Sequence, residues 1–116
     1  MAGLTTHVLD TAQGRPAAGV RVRLYGAGGD HELLREATTN AHGRLDQPLL
    51  APGEVKVGRY RLVFDIGAYF AGSSLTLADP PFLDEVTIAF AIAEPGAHYH
   101  VPLLVAPWGY TTYRGS

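Results

Sequence analysis

Hydrophobic and polar residues alternate with a period of two along several short stretches of the chain. The clearest runs from Arg59 to Ile66, where apolar side chains at even positions alternate with mostly polar ones at odd positions. The same pattern recurs in Val20–Tyr25 and in Val86–Ile92. Successive side chains of a strand point to opposite faces, so each stretch predicts a strand with one buried and one wet face.

The first stretch, Leu4 to Asp10, predicts another strand, which places Thr5, His7 and Leu9 on one face and Leu4, Thr6 and Val8 on the other. Residues 31–39 (HELLREATT) lack strong β formers, and only their context between turns favours a strand. Leu45 follows a turn signal at residues 40–44 and is expected to form a short edge strand.

The stretch His98–Ser116 predicts two strands joined by a Pro-Trp-Gly turn, with the second strand running to the last residue. Residues 26–30 read as a loop, and Gly67–Ser74 loses the alternation and favours one or two helical turns. Fourteen glycines and eight prolines divide the chain into short segments. About eight short strands with at most one short helix predict an antiparallel sandwich or small barrel, formed by a single domain over residues 1–116.

Composition removes several classes of function. The net charge of −2 argues against a protein that binds nucleic acid through its phosphates. The absence of cysteine excludes a thiol nucleophile, a cysteine metal site and a disulfide framework. No apolar run reaches about 18 residues and no secretory signal pattern opens the sequence, so we expect no membrane association and a cytoplasmic location.

His98 and His100 are two positions apart and therefore share one face of their predicted strand. They fit three interpretations. They are surface or hydrogen-bonded core histidines, or zinc ligands with His7 as a third, or groups that take and give protons near neutral pH. The zinc interpretation is the weaker of the two functional ones, since no carboxylate or cysteine clusters nearby in the sequence.

Other candidates are ambiguous on their own. A lone histidine at His7 is more often structural than functional, and Arg44 after a turn glycine is typical of a solvated charge. Arg114 and Ser116 place a guanidinium and a hydroxyl close together at the end of the sequence, where an untethered tail is the common alternative. The aromatic residues Trp108 and Tyr113 favour a docked tail, through packing or as a wall for a planar ligand.

Three blocks of sequence carry a resemblance to a known family. They are Leu4–Asp10 (LTTHVLD), Pro81–Val86 (PFLDEV), and the end of the chain, with HYHVPLL followed by TYRGS. Together they closely resemble the 5-hydroxyisourate hydrolases, the transthyretin-related enzymes of urate breakdown. The similarity extends over essentially the whole chain, and its most specific part is the terminal Tyr-Arg-Gly-Ser, which separates these hydrolases from the hormone-carrying transthyretins.

The resemblance implies an all-β, transthyretin-like sandwich of two four-stranded sheets with one short helix. It also implies a homotetramer, built as a dimer of dimers, with active sites in the channel between dimers and without metal or organic cofactor. The residues that match the family's catalytic set are His7, Arg44, His100 and Ser116. Those expected to contact the substrate beside them are His98, Tyr113 and Arg114.

The implied activity is hydrolysis of 5-hydroxyisourate to 2-oxo-4-hydroxy-4-carboxy-5-ureidoimidazoline, by histidine-assisted attack of water with stabilisation of charge by arginine. The alternative is a transthyretin-like protein that binds a small ligand without turning it over. The chain departs from the family pattern at His42, where relatives commonly carry aspartate, so any salt link from that aspartate is absent. Ala106 and Thr111, which replace serines, are expected to change packing only.

Overall fold

A computed structural model describes residues 3–26 and 32–115. Its described part contains eight strands and one helix. In chain order these are β1 (Gly3–Asp10), β2 (Arg15–Pro16), β3 (Arg21–Gly26), β4 (Leu33–Thr38), β5 (Gly58–Asp65), α1 (Ile66–Ala71), β6 (Glu85–Ile92), β7 (His98–Ala106) and β8 (Gly109–Thr112). The strand predicted for HELLREATT is confirmed as β4. Most of the loop predicted at residues 26–30 lies outside the described residues.

The strands form two four-stranded sheets, which confirms the predicted sandwich. The first sheet has the order β2-β1-β7-β8 and the second the order β4-β3-β5-β6. The inner faces of both sheets supply one hydrophobic core, because the apolar positions of each alternating stretch point inward. Its largest fully buried side chains include Leu4, Leu24, Leu62, Phe64 and Leu103.

One pairing differs from the antiparallel arrangement predicted from the sequence. β1 and β7 run parallel, with all eight residues of β1 paired from Gly3 opposite His98 to Asp10 opposite Val105. A parallel pair needs a long crossover connection, and here the whole second sheet lies between the two strands along the chain. The pair forms the centre of the first sheet and brings the two histidine-containing strands side by side.

Three local predictions were wrong. Leu45 is not a strand residue, and the backbone there makes isolated bridges through Arg44 and Leu50 instead. The predicted turn at residues 13–16 ends in the two-residue strand β2, which pairs with the end of β1. The last strand stops at Thr112 rather than running on, and Gly115 then makes an isolated bridge to His100 in the neighbouring strand.

The single described helix, α1, fulfils the prediction of one or two helical turns. It buries Ile66 and Phe70 against the core. Its Tyr69 hydroxyl donates a 2.7 Å hydrogen bond to the carboxylate of Asp10, the buried last residue of β1. Six residues are far too few to cross a bilayer, and the described residues contain no helix that is long and apolar enough to do so.

Candidate active site

The parallel pair of β1 and β7 builds a polar patch on the outer face of the first sheet. Leu4 and Val8 of β1, like Tyr99 and Val101 of β7, point into the core. The side chains of Thr5 and His7 in β1, and of His98 and His100 in β7, therefore point outward and form the patch. The register sets Thr5 directly opposite His100 and Gly3 opposite His98. Two strands from opposite ends of the sequence thereby place their polar side chains on one surface.

The hydroxyl of Thr5 joins the two histidines of β7. Its Oγ1 lies 2.8 Å from Nδ1 of His100 and 3.2 Å from Nε2 of His98. Both distances are within hydrogen-bond range, and a hydroxyl can donate once and accept twice. The two histidines that the sequence placed on one face are therefore coupled through a residue of the neighbouring strand.

The loop after β4 reaches this patch because of a glycine. Gly43 has φ of +73°, a left-handed conformation that other residues rarely adopt. A Cβ at this position would lie 2.3 Å from the carbonyl oxygen of Val8, so only glycine permits the loop to lie this close to β1. The close approach is held by a 2.8 Å hydrogen bond from the Val8 amide to the Gly43 carbonyl.

His7 is held by this loop. Its Nε2 donates a 2.9 Å hydrogen bond to the main-chain carbonyl of His42, which leaves Nδ1 as the acceptor nitrogen of the neutral ring. Burial and the positive charge of Arg44 lower the pKa of His7 from its ordinary value, while the bond to the carbonyl opposes the shift. His7 is therefore predominantly neutral at pH 7.

The departure at position 42 does not disturb this arrangement. The turn is closed by the Asn40 side chain, whose Oδ1 accepts from the amides of His42 at 2.9 Å and of Arg44 at 3.2 Å. The group that holds His7 is the carbonyl of residue 42, which every amino acid supplies. The exposed His42 side chain is not required for either contact.

His100 lies under the end of the described chain. The Gly115 amide donates a 2.8 Å hydrogen bond to the His100 carbonyl, and a Cβ on Gly115 would lie 2.7 Å from Cδ2 of the His100 ring. The terminal segment thus covers one edge of the imidazole. Burial, followed by the charges of Arg44, His7 and His98, lowers the pKa of His100. It too is a neutral base at pH 7.

Arg44 is the cation of the patch. An isolated bridge pairs its backbone with that of His7, so its side chain starts beside the first histidine. Among the described residues no carboxylate forms an ion pair with it. A cavity of about 230 Å³ is lined by Thr5 and Arg44 together with residues 45–48. An unpaired guanidinium at the rim of a cavity can bind oxygen atoms of a ligand.

Tyr113 and Arg114 are placed elsewhere. The Arg114 guanidinium carbon lies 4.1 Å from the centroid of the Tyr99 ring, which is on the core face of β7. Both terminal residues line a second cavity, of about 240 Å³, at the edge between β6 and β8. The contact of Arg114 with Tyr99 anchors the tail, and the contact of Tyr113 and Arg114 with a substrate stays a prediction. Ser116 lies outside the described residues, so its predicted role also stays a prediction.

The sequence alone did not indicate that Thr5 and Gly115 belong to the site. Thr5 shares its predicted face with His7, which was the available signal, but only the register of β1 with β7 shows that it reaches two histidines.

The three-histidine zinc site is not formed, since in residues 3–26 and 32–115 no three histidine, aspartate or glutamate side chains are grouped closely enough to hold a metal ion.

Known proteins share both the sequence and the fold. The chain is 55% identical to "5-hydroxyisourate hydrolase" of Deinococcus radiodurans over 98% of this chain and 96% of that protein. It superposes with a TM-score of 0.92 on the crystal structure of (S)-allantoin synthase, at 43% identity, and covers 99% of this chain but 44% of that one. Transthyretin from Sparus aurata has a TM-score of 0.84 and 28% identity, covering 99% of this chain and 97% of its own.

A family-level match agrees with these relatives. The sequence model described as the HIUase/Transthyretin family matches residues 4–115, from the second residue of β1 to the glycine that covers His100. The match therefore spans the polar patch as well as the sandwich that supports it. The chain belongs to the HIUase/Transthyretin family.

Proposed function

We propose that this protein hydrolyses 5-hydroxyisourate to 2-oxo-4-hydroxy-4-carboxy-5-ureidoimidazoline. The observation that carries the proposal is the patch itself, where two histidines with lowered pKa values share a surface with an unpaired arginine. The high identity to a protein named as a hydrolase supports the same substrate. Hydrolysis of a ring amide needs a base for water and a cation for the oxygen that gains charge, and the patch offers both.

The histidines are the proposed acid and base. One of them, His7 or His100, removes a proton from water, whose oxygen then attacks a ring carbonyl carbon of the substrate. The adjacent C–N bond breaks, and the leaving nitrogen takes a proton from the imidazolium formed in the first step. One water molecule is consumed and no electron is transferred. A pKa below the ordinary value keeps each ring ready to accept a proton at pH 7.

Arg44 is the proposed electrophilic group. The carbonyl oxygen becomes negatively charged as water adds to the carbon, and a planar guanidinium can donate two parallel hydrogen bonds to such oxygens. Arg44 forms no ion pair among the described residues, so its guanidinium donors are available to the substrate. We assign Ser116, Tyr113, Arg114 and His98 supporting contacts with the substrate or with the catalytic histidines.

The proposed active form is a homotetramer arranged as a dimer of dimers. The cavity beside Arg44, about 230 Å³, is smaller than common small-molecule sites of about 300–1,000 Å³. The patch lies on the outer face of the first sheet, and Trp108, in the turn that follows the opposite end of β7, has a side chain that is 69% exposed. A second copy of the chain would enlarge the pocket, exclude water and cover this aromatic surface. Light scattering after size exclusion tests the tetramer, and a monomer would contradict it.

A coupled assay tests the activity. Urate oxidase generates 5-hydroxyisourate from urate, and its ultraviolet absorbance is followed with and without this protein. We expect the absorbance to decay faster in proportion to protein concentration. The same acceleration is expected after the protein has been dialysed against a chelator. Absence of acceleration, together with saturable ligand binding, would favour a transthyretin-like binding protein instead.

A further inference from the structure

Thr5 occupies a position that the proposed acid and base do not account for. Its hydroxyl lies between two imidazoles, 2.8 Å from His100 Nδ1 and 3.2 Å from His98 Nε2. Valine would fill the same volume on a strand, and threonine adds only the hydroxyl. The same side chain also lines the cavity that contains Arg44.

We propose that Thr5 is a positioning residue that fixes the tautomer of His100 and connects it to His98, so that His98 serves as the outlet for its proton. This inference rests on the proposed hydrolase activity. It assigns to Thr5 and His98 tasks that the resemblance does not supply. The three residues form a chain in the order His100, Thr5, His98, from the partly buried ring to the exposed one.

The use of His100 Nε2 as the base fixes the direction of the hydrogen bonds in the chain. A neutral His100 can use Nε2 as a base only if its proton is on Nδ1, and that N–H then donates to Thr5 Oγ1. The Thr5 hydroxyl is left with its own proton, which it donates to Nε2 of His98. Among the described residues Nε2 of His100 has no hydrogen-bond partner, so it is the nitrogen available to water.

The relay conserves protons and charge. Water gives a proton to Nε2 of His100, the Nδ1 proton of His100 passes to Thr5 Oγ1, and the original hydroxyl proton passes to Nε2 of His98. Three N–H or O–H bonds form, three break, and the positive charge moves from His100 to His98. Burial, Arg44 and His7 disfavour charge on His100, and the charge ends on a ring that is exposed to water.

Gly3 leaves space for the imidazole ring of His98, the proposed proton acceptor. The register pairs it with His98, and a Cβ at position 3 would lie 3.7 Å from Nδ1 of that ring and 3.2 Å from the Leu50 carbonyl oxygen. The His98 ring therefore packs across the glycine with Nδ1 over it and Nε2 toward Thr5. The orientation of the ring follows from packing as well as from the hydrogen bond.

Two substitutions separate the hydroxyl from the shape of the side chain. Thr5→Val removes the hydroxyl and keeps the volume, and Thr5→Ser keeps the hydroxyl. We expect Thr5→Val to lower kcat by about 10- to 100-fold with little change in KM, as removal of a group that orients a functional histidine does at metal sites. Thr5→Ser should retain most of the activity. Thr87→Val, at an exposed position of β6, is the matched control and should leave kcat unchanged.

Nitrogen-15 spectra of the imidazole rings supply a readout independent of activity. At a pH where the rings are neutral, we expect the proton of His100 on Nδ1 in the wild type and in Thr5→Ser, and a mixture of tautomers in Thr5→Val. A proton fixed on Nε2 of His100 in the wild type would overturn the proposal, as would equal kcat values for Thr5→Val and wild type. If the wild type shows no hydrolysis, the proposed function fails, and the spectra alone decide whether Thr5 holds the two rings.

Discussion

The outer faces of the two sheets differ in whether their arginines form ion pairs. On the second sheet, Arg23 Nη2 lies 2.7 Å from a carboxylate oxygen of Asp65 and 2.7 Å from one of Glu85, and Arg21 forms an ion pair with Glu36. These contacts raise the pKa of Arg23, chiefly through the hydrogen bond to Glu85. Arg23 also donates a 3.2 Å hydrogen bond to the Tyr25 hydroxyl. Because the charges of Arg21 and Arg23 are paired with carboxylates, we call this outer face the closed face.

The outer face of the first sheet carries an arginine without an ion pair among the described residues, and we call it the open face. This arginine is Arg44, and its charge lowers the pKa values of His7 and His100. Arg44 is exposed to solvent, and histidines whose pKa values are shifted beside a cation are typical of functional sites. Ion pairs stabilise the second face, whereas the first face keeps its groups available for a ligand.

The largest expected effect is loss of a histidine from the open face. His7→Asn or His100→Asn removes a proposed acid or base, and kcat should fall by about 10²- to 10⁴-fold while the protein stays folded and oligomeric. His42→Asn is the matched control, because only the main-chain carbonyl of residue 42 contacts His7. Full activity in both histidine variants, measured by decay of 5-hydroxyisourate, would contradict the assignment.

The next effect concerns the cation. Arg44→Gln should lower kcat by about 10²- to 10³-fold, the range found when a donor to a developing oxyanion is removed. It should also raise the pKa of both histidines, which Arg44 lowers in the wild type, so the acid limb of kcat/KM should move to higher pH. Arg44→Lys keeps the charge and should leave the limb in place, though with reduced kcat. Limbs that coincide in all three proteins would show that Arg44 does not act on the histidines.

A smaller effect is expected where the tail covers His100. Gly115→Ala introduces a Cβ 2.7 Å from Cδ2 of the ring, so either the tail or the imidazole must shift. A displacement of about 1 Å at a catalytic group costs about 100-fold in rate. Gly96→Ala meets no atom within 4 Å and is the control. If Gly115→Ala retains full kcat in the ultraviolet assay, the tail does not hold the ring.

The smallest expected effect on activity comes from the closed face. Arg23→Gln leaves Asp65 and Glu85 without their shared cation, at a position where the arginine side chain is 16% exposed. We expect a loss of about 1.5–3 kcal/mol in the free energy of unfolding, the range for a hydrogen bond to a charged group. Urea unfolding should show it, with kcat unchanged. A fall in kcat to the level of the histidine variants would remove the distinction between the two faces.

Alternation was sufficient to predict most strands, because a strand with one face in a core must repeat with period two. It succeeded for β5 and β6, where apolar even positions are buried. It failed for Leu45, whose neighbours use isolated bridges that leave no periodic signal. It also did not indicate that β1 lies parallel to β7, since alternation defines faces and not partners.

The site was predicted unevenly for the same reason. His7 and His100 lie on outward faces as their alternation predicts, and Arg44 follows the turn glycine that lets its loop approach β1. Thr5 was passed over because its two partners are about 95 positions away along the chain. The resemblance identified the individual site residues. The contacts between them depend on strand register, which a local sequence pattern does not predict.

The parallel pairing of the first strand with the seventh has a consequence for synthesis on the ribosome. Thr5 and His100 are 95 positions apart, so at about 5–20 residues per second β1 waits roughly 5–20 s before its partner strand is made. During that time an unpaired strand edge is exposed, with only the two-residue β2 available on one side. The nascent chain therefore cannot form the contact between Thr5 and His100 until β7 has been made.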